Sequence, residues 1–271
     1  MPRNRVDIAI VGGGLVGASL ACALAPLIER HGLRVAVIEA APLNDAQAAT
    51  FQPSFDARAS AIAQGSRRHF ERLGVWATMA ERATPIRQIH VSERGRFGAT
   101  RLTADEFDLD ALGYVIPNAW MGQVLHAALG ALPLTWHCPA RVDDIVPIAD
   151  GHRLTLSDGA CLEAGLTVLA DGGRSGLKER LGIASQAQPY EQHALIANVE
   201  VGRDHGGVAY ERFSSQGPMA LLPMAGRRMA LVWTHASERR EDALAWSDDV
   251  CLRRLQDAFG DRLGRFRRIG R

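Results

Sequence analysis

Within its first forty residues the chain carries a glycine pattern, Gly12-x-Gly14-x-x-Gly17, set between an apolar β-branched run and a helix-forming one. Val6 to Val11 (VDIAIV) reads as a buried parallel strand. Leu15 to about Leu27 is rich in Ala and Leu and reads as a helix, with Pro26 expected to kink or end it. Leu33 to Glu39 (LRVAVIE) reads as a second buried strand. Gly12 permits a tight turn, Gly14 lets the backbone approach a pyrophosphate, and Gly17 lets the helix pack against the strand. The helix N-terminus offers N–H groups and partial positive charge to phosphates. Glu39 is placed to accept hydrogen bonds from a ribose 2′-hydroxyl, and it would repel a 2′-phosphate, which disfavours NADP at this site. This βαβ unit predicts a bound dinucleotide and by itself leaves FAD and NAD open.

The 271 residues leave room for two domains. Hydrophobic residues make up 47% and charged residues 23%, as in an ordinary soluble protein. A net charge of +1 supplies no global field for nucleic acid. The four cysteines (Cys22, Cys138, Cys161, Cys251) lie far apart without a CxxC, so neither zinc nor a disulfide framework is indicated, and a reducing cytoplasm fits. Ile8 to Ile28 is uncharged and long enough for a bilayer. Gly12, Gly13, Gly14 and Gly17 divide it, however, and predict a strand and a helix. Asp7 and the same glycines argue against a signal peptide.

Further along, residues 41–57 read as a loop and Ala59 to Leu73 as a helix stopped by Gly74. Gln88 to Glu93 and the region near Thr100 read as strands, and Asn118 to Leu132 as an amphipathic helix. Three strands are expected at Arg141–Ile148, His152–Leu156 and Leu162–Ala170, the last two joined by a Ser157-Asp158-Gly159 turn. Runs at 194–201, 208–213, 219–224 and 228–235 predict an antiparallel sheet, followed by a helix from Asp248 to Phe259. The tail from Arg262 holds five arginines, read as a solvated face or as a patch for an anionic membrane.

Several segments carry a more specific signal. They are Phe55-Asp56-Ala57-Arg58-Ala59-Ser60-Ala61-Ile62, Ala170-Asp171-Gly172-Gly173-Arg174-Ser175, Tyr190-Glu191-Gln192, Glu211-Arg212-Phe213 and Gly217-Pro218-Met219-Ala220-Leu221-Leu222-Pro223. With these, the chain from Val6 to about Gly264 resembles the FAD-dependent aromatic hydroxylases of ubiquinone biosynthesis. The resemblance implies an α/β fold (α+β overall): a Rossmann-like FAD-binding domain of the class A flavin monooxygenase type plus an antiparallel-sheet substrate domain. The FAD-binding domain is expected over 1–80 and 100–181, and the substrate domain over 81–99 and 182–271.

By the same resemblance, Gly12, Gly14 and Gly17 would hold the FAD pyrophosphate and Glu39 the adenosine ribose. Arg58 would lie beside the flavin and pyrophosphate, its guanidinium suiting an anionic phosphate, unless it is a structural partner of Asp56. Asn118 and Gln123 resemble positions that touch the cofactor, or are ordinary helix-surface polar residues. Asp171 and Gly172 resemble a second fingerprint associated with FAD and the pyridine nucleotide, or form a simple Asx turn. Where the family often carries an arginine, this chain has Lys178, which keeps the charge and loses the bidentate fork. The family's third flavin motif, a Gly-Asp followed by His-Pro, has no counterpart here, so the chain reads as a C-terminally shortened member.

The implied activity is a hydroxylation of a prenylated phenol, using NADPH or NADH as transient reductant and O2. The implied setting is cytoplasmic, peripheral to the inner membrane in a ubiquinone-biosynthesis complex, without nucleic acid and without a metal. Met219, Leu221, Leu222 and Trp233 either line an apolar substrate pocket or belong to the core. No residue reads as a catalytic base, and none of the nine histidines shows a partner at a meaningful spacing. Two rival readings remain: an NAD-dependent dehydrogenase using Gly12 to Glu39, and a flavin-free scaffold or assembly subunit.

Overall fold

The computed structural model describes residues 4–42, 58–173 and 175–270. The expected loop over 41–57 lies, from residue 43 onward, outside them, as do Asp56 and Arg174. The chain begins with β1 (Arg5–Val11), α1 (Leu15–His31) and β2 (Val35–Ile38). There follow β3 (Ala59–Ala63), α2 (Gln64–Arg72), α3 (Trp76–Ala80), β4 (Thr84–Ile86), β5 (Gln88–Glu93), β6 (Ala99–Thr103) and β7 (Gly113–Pro117). Next come α4 (Asn118–Leu129), β8 (Thr135–His137), β9 (Val142–Ile148), β10 (Gly151–Leu156), β11 (Cys161–Leu169) and α5 (Leu177–Arg180). The last part holds β12 (Gln192–Val201), β13 (Val208–Phe213), β14 (Met219–Met224), β15 (Arg228–Ala236), α6 (Arg240–Ala245), α7 (Asp248–Phe259) and β16 (Phe266–Gly270).

Two compact units result, one from residues 1–56 and 118–187, the other from 57–117 and 188–271. The first unit is built on a sheet of order β8-β2-β1-β11-β10-β9. Strand β1 pairs in parallel with β2 on one side and with β11 on the other, and β2 continues in parallel to β8. Strands β11, β10 and β9 form an antiparallel meander. All four residues of β2 are buried, as a strand covered on both faces requires. Helix α1 runs through Pro26 to His31 and ends at Gly32 in the left-handed conformation (φ 62°). The sequence predicts a helix to about Leu27, kinked or ended by Pro26. The buried face of Ala18, Ala21, Cys22 and Ile28 spans the proline and holds the helix together, at the loss of one backbone hydrogen bond. Cys22 Sγ lies 4.0 Å from the Leu125 carbonyl oxygen of α4, and burial pushes its thiol up to about 11. No helix among the described residues is long and apolar enough to cross a membrane.

The second unit carries a sheet of order β16-β12-β15-β14-β13-β5-β6 and a small one of order β3-β7-β4. The large sheet is antiparallel except where β13 runs parallel to β5. Residues 59–80 and 100–117, which the sequence assigns to the nucleotide domain, pack with this unit. The reason is pairing: β3 and β4 each ladder onto β7, and β6 ladders onto β5. Ala59 to Ala63 is therefore strand where local propensity predicts helix; the β7 ladder overrides the helix preference of alanine. The arginine-rich tail is also strand, with Phe266 buried and β16 paired to β12.

Candidate functional site

Three adjacent parallel strands deliver most of the predicted residues to one end of the first sheet. The chain leaves β1 into Gly12, β2 into Glu39 and β11 into Ala170-Asp171. Backbone bonds tie these exits together: Gly12 N–H donates to Ile38 O at 2.8 Å, and Ala170 N–H donates to Val11 O at 2.8 Å. Strand β1 lies between β2 and β11, so helix α1 departs at the point where the strand order reverses, the crevice in which such sheets bind ligands.

Gly12 has φ 105°, and a Cβ there would stand 2.5 Å from the Ala170 carbonyl oxygen. A Cβ on Gly17 would overlap the Gly12 carbonyl oxygen, so the first turn of α1 rests directly on the loop backbone. Gly14 is the N-cap of α1 in extended conformation, its carbonyl receiving the Ala18 N–H at 2.8 Å. No side chain caps this N-terminus and its first turn holds no acidic residue. The N–H groups that open the helix therefore have no side-chain cap of their own and remain free to meet an anion.

Glu39 is 6% exposed. Its Oε2 accepts the Gly13 N–H at 2.6 Å and its Oε1 accepts the Ala41 N–H at 2.8 Å. His126 Nε2 of α4 lies 2.8 Å from the Gly13 carbonyl oxygen, and Trp136 meets the His126 ring edge-on at 6.0 Å. Gly13 is held through both its N–H and its C=O. His126 and Trp136 were missed in the sequence because the contact spans 113 positions and no local pattern marks it.

Asp171 organises its own loop, accepting the Gly173 N–H at 3.2 Å and the Ser175 N–H at 3.0 Å. Burial raises its carboxyl, but the Ser175 side chain and these backbone donors outweigh burial and hold it below the usual carboxylate range. Gly172 has φ 73°, and a Cβ there would meet no atom within 4 Å, which leaves the loop open to close approach. Asp171, Gly173, Ser175, Gly176, Lys178 and Glu179 line a recess beside it.

Gly12, Gly14, Gly17, Glu39, Asp171 and Gly172 are therefore brought together. Asn118 is buried at the start of α4, while Gln123 lies on that helix's exposed side. Arg58 belongs to the second unit, exposed just ahead of β3. A cradle that Cβ atoms would fill, an uncapped helix N-terminus and a buried carboxylate at the end of β2 fit the adenosine-diphosphate half of FAD.

In the second unit, sheet register places Val91, Glu211, Ala220, Val232 and Ile196 side by side in one row. Glu211 is half-buried and has no ion-pair partner among the described residues; burial pushes its carboxyl up. Ile196 and Phe213, on the same face, are 44% and 47% exposed. Of the residues read as either pocket or core, Met219, Leu221 and Trp233 turn to the opposite face and pack with Leu255 and Phe259 of α7, so they are core. Leu222 lies on the Glu211 face and packs against the small sheet's cluster.

The FAD-binding domain family matches residues 5–268. A ubiquinone hydroxylase (UbiL) of Rhodospirillum rubrum is 37% identical over 268 residues, covering 97% of this chain and 60% of that protein. The 3-demethoxyubiquinol 3-hydroxylase of Escherichia coli is 34% identical over 245 residues, covering 88% of this chain and 60% of that protein. The chain thus spans about 60% of the length of these curated relatives. Among solved structures, PqsL of Pseudomonas aeruginosa aligns with a TM-score of 0.77 at 22% identity, covering 98% of this chain and 74% of that one, which speaks to the fold.

Proposed function

The chain belongs to the FAD-binding domain family, and on that premise we propose that it forms the adenosine-holding site and substrate sheet of a flavin monooxygenase that hydroxylates a prenylated phenol in ubiquinone biosynthesis. The observation that carries this reading is the convergence of the Gly12 loop, Glu39 and the Asp171-Gly172 loop at the ends of β1, β2 and β11. The names of the R. rubrum and E. coli relatives supply the substrate class.

FAD supplies the electron transfer from NADPH or NADH and the activation of O2. The protein's share is binding and orientation. The backbone N–H groups that open α1 hold the pyrophosphate, with no Cβ at Gly12 or Gly17 in the way. Glu39 fixes the loop through Gly13 and accepts from the adenosine ribose. Asn118 and Gln123 of α4 are assigned to the cofactor as well. The apolar row around Glu211 receives the phenol and its prenyl tail, and the raised Glu211 carboxyl accepts a hydrogen bond from the phenolic hydroxyl. A prenyl tail partitions into a bilayer, and this reading assigns the enzyme to the periphery of the inner membrane.

The test is turnover under ¹⁸O2 in a chain extended to its relatives' length, loaded with FAD and given NADPH and a short-prenyl phenol. The expected product carries one ¹⁸O atom on the ring. Oxidation of NADPH without a labelled phenol contradicts the reading, as does a protein that stays colourless and binds NAD instead.

A further inference from the structure

On the other face of the large sheet lie His90, Arg101 and Arg212, with Arg94 and Arg262 close enough to act on them by charge, and none of the five has an ion-pair partner among the described residues. Register sets Arg101, His90 and Tyr210 in one row and Ser92 and Arg212 in the next. His90 and Ser92 are 7% and 8% exposed. The Arg212 guanidinium is fixed from two sides: Nε donates to Ala258 O near the end of α7 at 3.0 Å, and Nη1 donates to Ser92 Oγ at 3.3 Å. Among the described residues these are its two hydrogen bonds, which leaves the rest of its N–H fork for a ligand. Arg262, shortly after α7, and Arg94, just after β5, complete the group.

These charges bear on one another. Burial, then Arg262, Arg101 and Arg212 hold the His90 imidazole below its usual range, and burial, then Arg262 and Arg94 lower Arg212. No carboxylate figures among the causes of either shift. Among the described residues, Arg34, Arg67, Arg96, Arg141, Arg153 and Arg180 are ion-paired. Arg94, Arg101, Arg212 and Arg262 have no ion-pair partner among the described residues. The buried His90 Nδ1 has no hydrogen-bond partner either. Like charges sharing one face repel one another, and a bound anion relieves that repulsion and gives the buried ring nitrogen a partner.

We propose that Arg212, Arg262, Arg101 and His90 bind a phosphate group. Guanidinium forks match the several acceptor oxygens and double charge of phosphate better than a single carboxylate does. Arg212, pinned by Ala258 and Ser92, gives the site its fixed point; Arg101 of β6, exposed beside His90, and Arg262, exposed after α7, supply further charge. The site lies on the face away from Glu211 and uses none of the residues assigned to FAD or the phenol, so it stands or falls apart from the reading above. The phosphate is either a free ion or the headgroup of an anionic lipid.

Calorimetric titration of the 271-residue chain with inorganic phosphate at fixed ionic strength tests the site. A parallel arm measures co-sedimentation with phosphatidylcholine vesicles with and without phosphatidic acid. The proposal expects saturable binding in at least one arm, weakened roughly tenfold or more by Arg262→Ala and by Arg101→Ala, as for loss of one charge-assisted hydrogen bond. Arg141→Ala, whose side chain is paired with Asp143, serves as the control and leaves binding unchanged. The His90 ring resonances shift with the phosphate ligand and not with chloride. Vesicle binding that free phosphate competes away assigns the lipid headgroup, whereas calorimetric binding alone assigns the free ion. Absence of binding in both arms, binding indifferent to Arg262→Ala, or unmoved His90 resonances overturns the proposal.

Discussion

The carboxylate of Glu39 holds the Gly13 N–H at 2.6 Å, so the acid that ends β2 shapes the glycine loop that ends β1. The carboxylate fixes the turn, and under the proposed function it also offers an acceptor to the adenosine ribose. Glu39→Gln keeps size and one acceptor oxygen but loses the charge-assisted bond. FAD affinity measured by flavin fluorescence is expected to fall roughly tenfold, the worth of one such bond. Unchanged affinity would remove Glu39 from the site.

His126 grips the other side of Gly13, through its carbonyl oxygen. His126→Ala is expected to loosen the loop, seen as faster amide exchange at Gly13 and Gly14 in the FAD-free chain and as weaker flavin binding. His126→Gln restores a donor at similar reach and recovers part of both effects. If alanine and glutamine behave alike, the histidine is packing only.

Gly17→Ala places a methyl group on the Gly12 carbonyl oxygen. Helix α1 must then move off the loop, at a cost of about 1–3 kcal/mol in stability, typical of an overpacked site. FAD binding is expected to be lost before folding is. Thermal denaturation and fluorescence titration of the same variant separate the two.

Glu211 gives a pH signature. Its folded-state pKa is raised, because burial disfavours the charged form. Below the unfolded value both states are protonated and nothing is lost. As pH rises through that value the folded state alone resists ionisation, and the penalty is complete above the folded pKa. Glu211→Gln should therefore match the parent's melting temperature near the acid limit and exceed it increasingly toward neutral pH. Parallel curves at all pH values would contradict the burial of that carboxyl.

Residue spacing made the βαβ unit legible, since Gly12, Gly14, Gly17 and Glu39 all act within one local supersecondary unit. It also located β9, β10 and β11, whose hairpin turn at Ser157-Asp158-Gly159 closes with Gly159 N–H on Leu156 O at 2.9 Å. Local propensity failed where distant pairing decides. Ala59 to Ala63 becomes a strand only because β7, some fifty positions on, offers a ladder. Phe266 to Gly270 does so because β12 does. The same reason hides His126 and Trp136, which reach the loop from α4 and β8. The face on which Leu221, Trp233 and Glu211 fall needs the sheet's register, which no single strand's sequence states.

The central claim is that the ends of β1, β2 and β11 form the adenosine end of an FAD site. Titration of the 271-residue chain with FAD, followed by flavin fluorescence, tests it most directly, with NAD as the competitor and Gly17→Ala as the control. Saturable FAD binding at micromolar concentration, abolished in Gly17→Ala and undisturbed by excess NAD, is the predicted result. A chain that leaves FAD free in solution, or that gives up FAD to NAD, would contradict it.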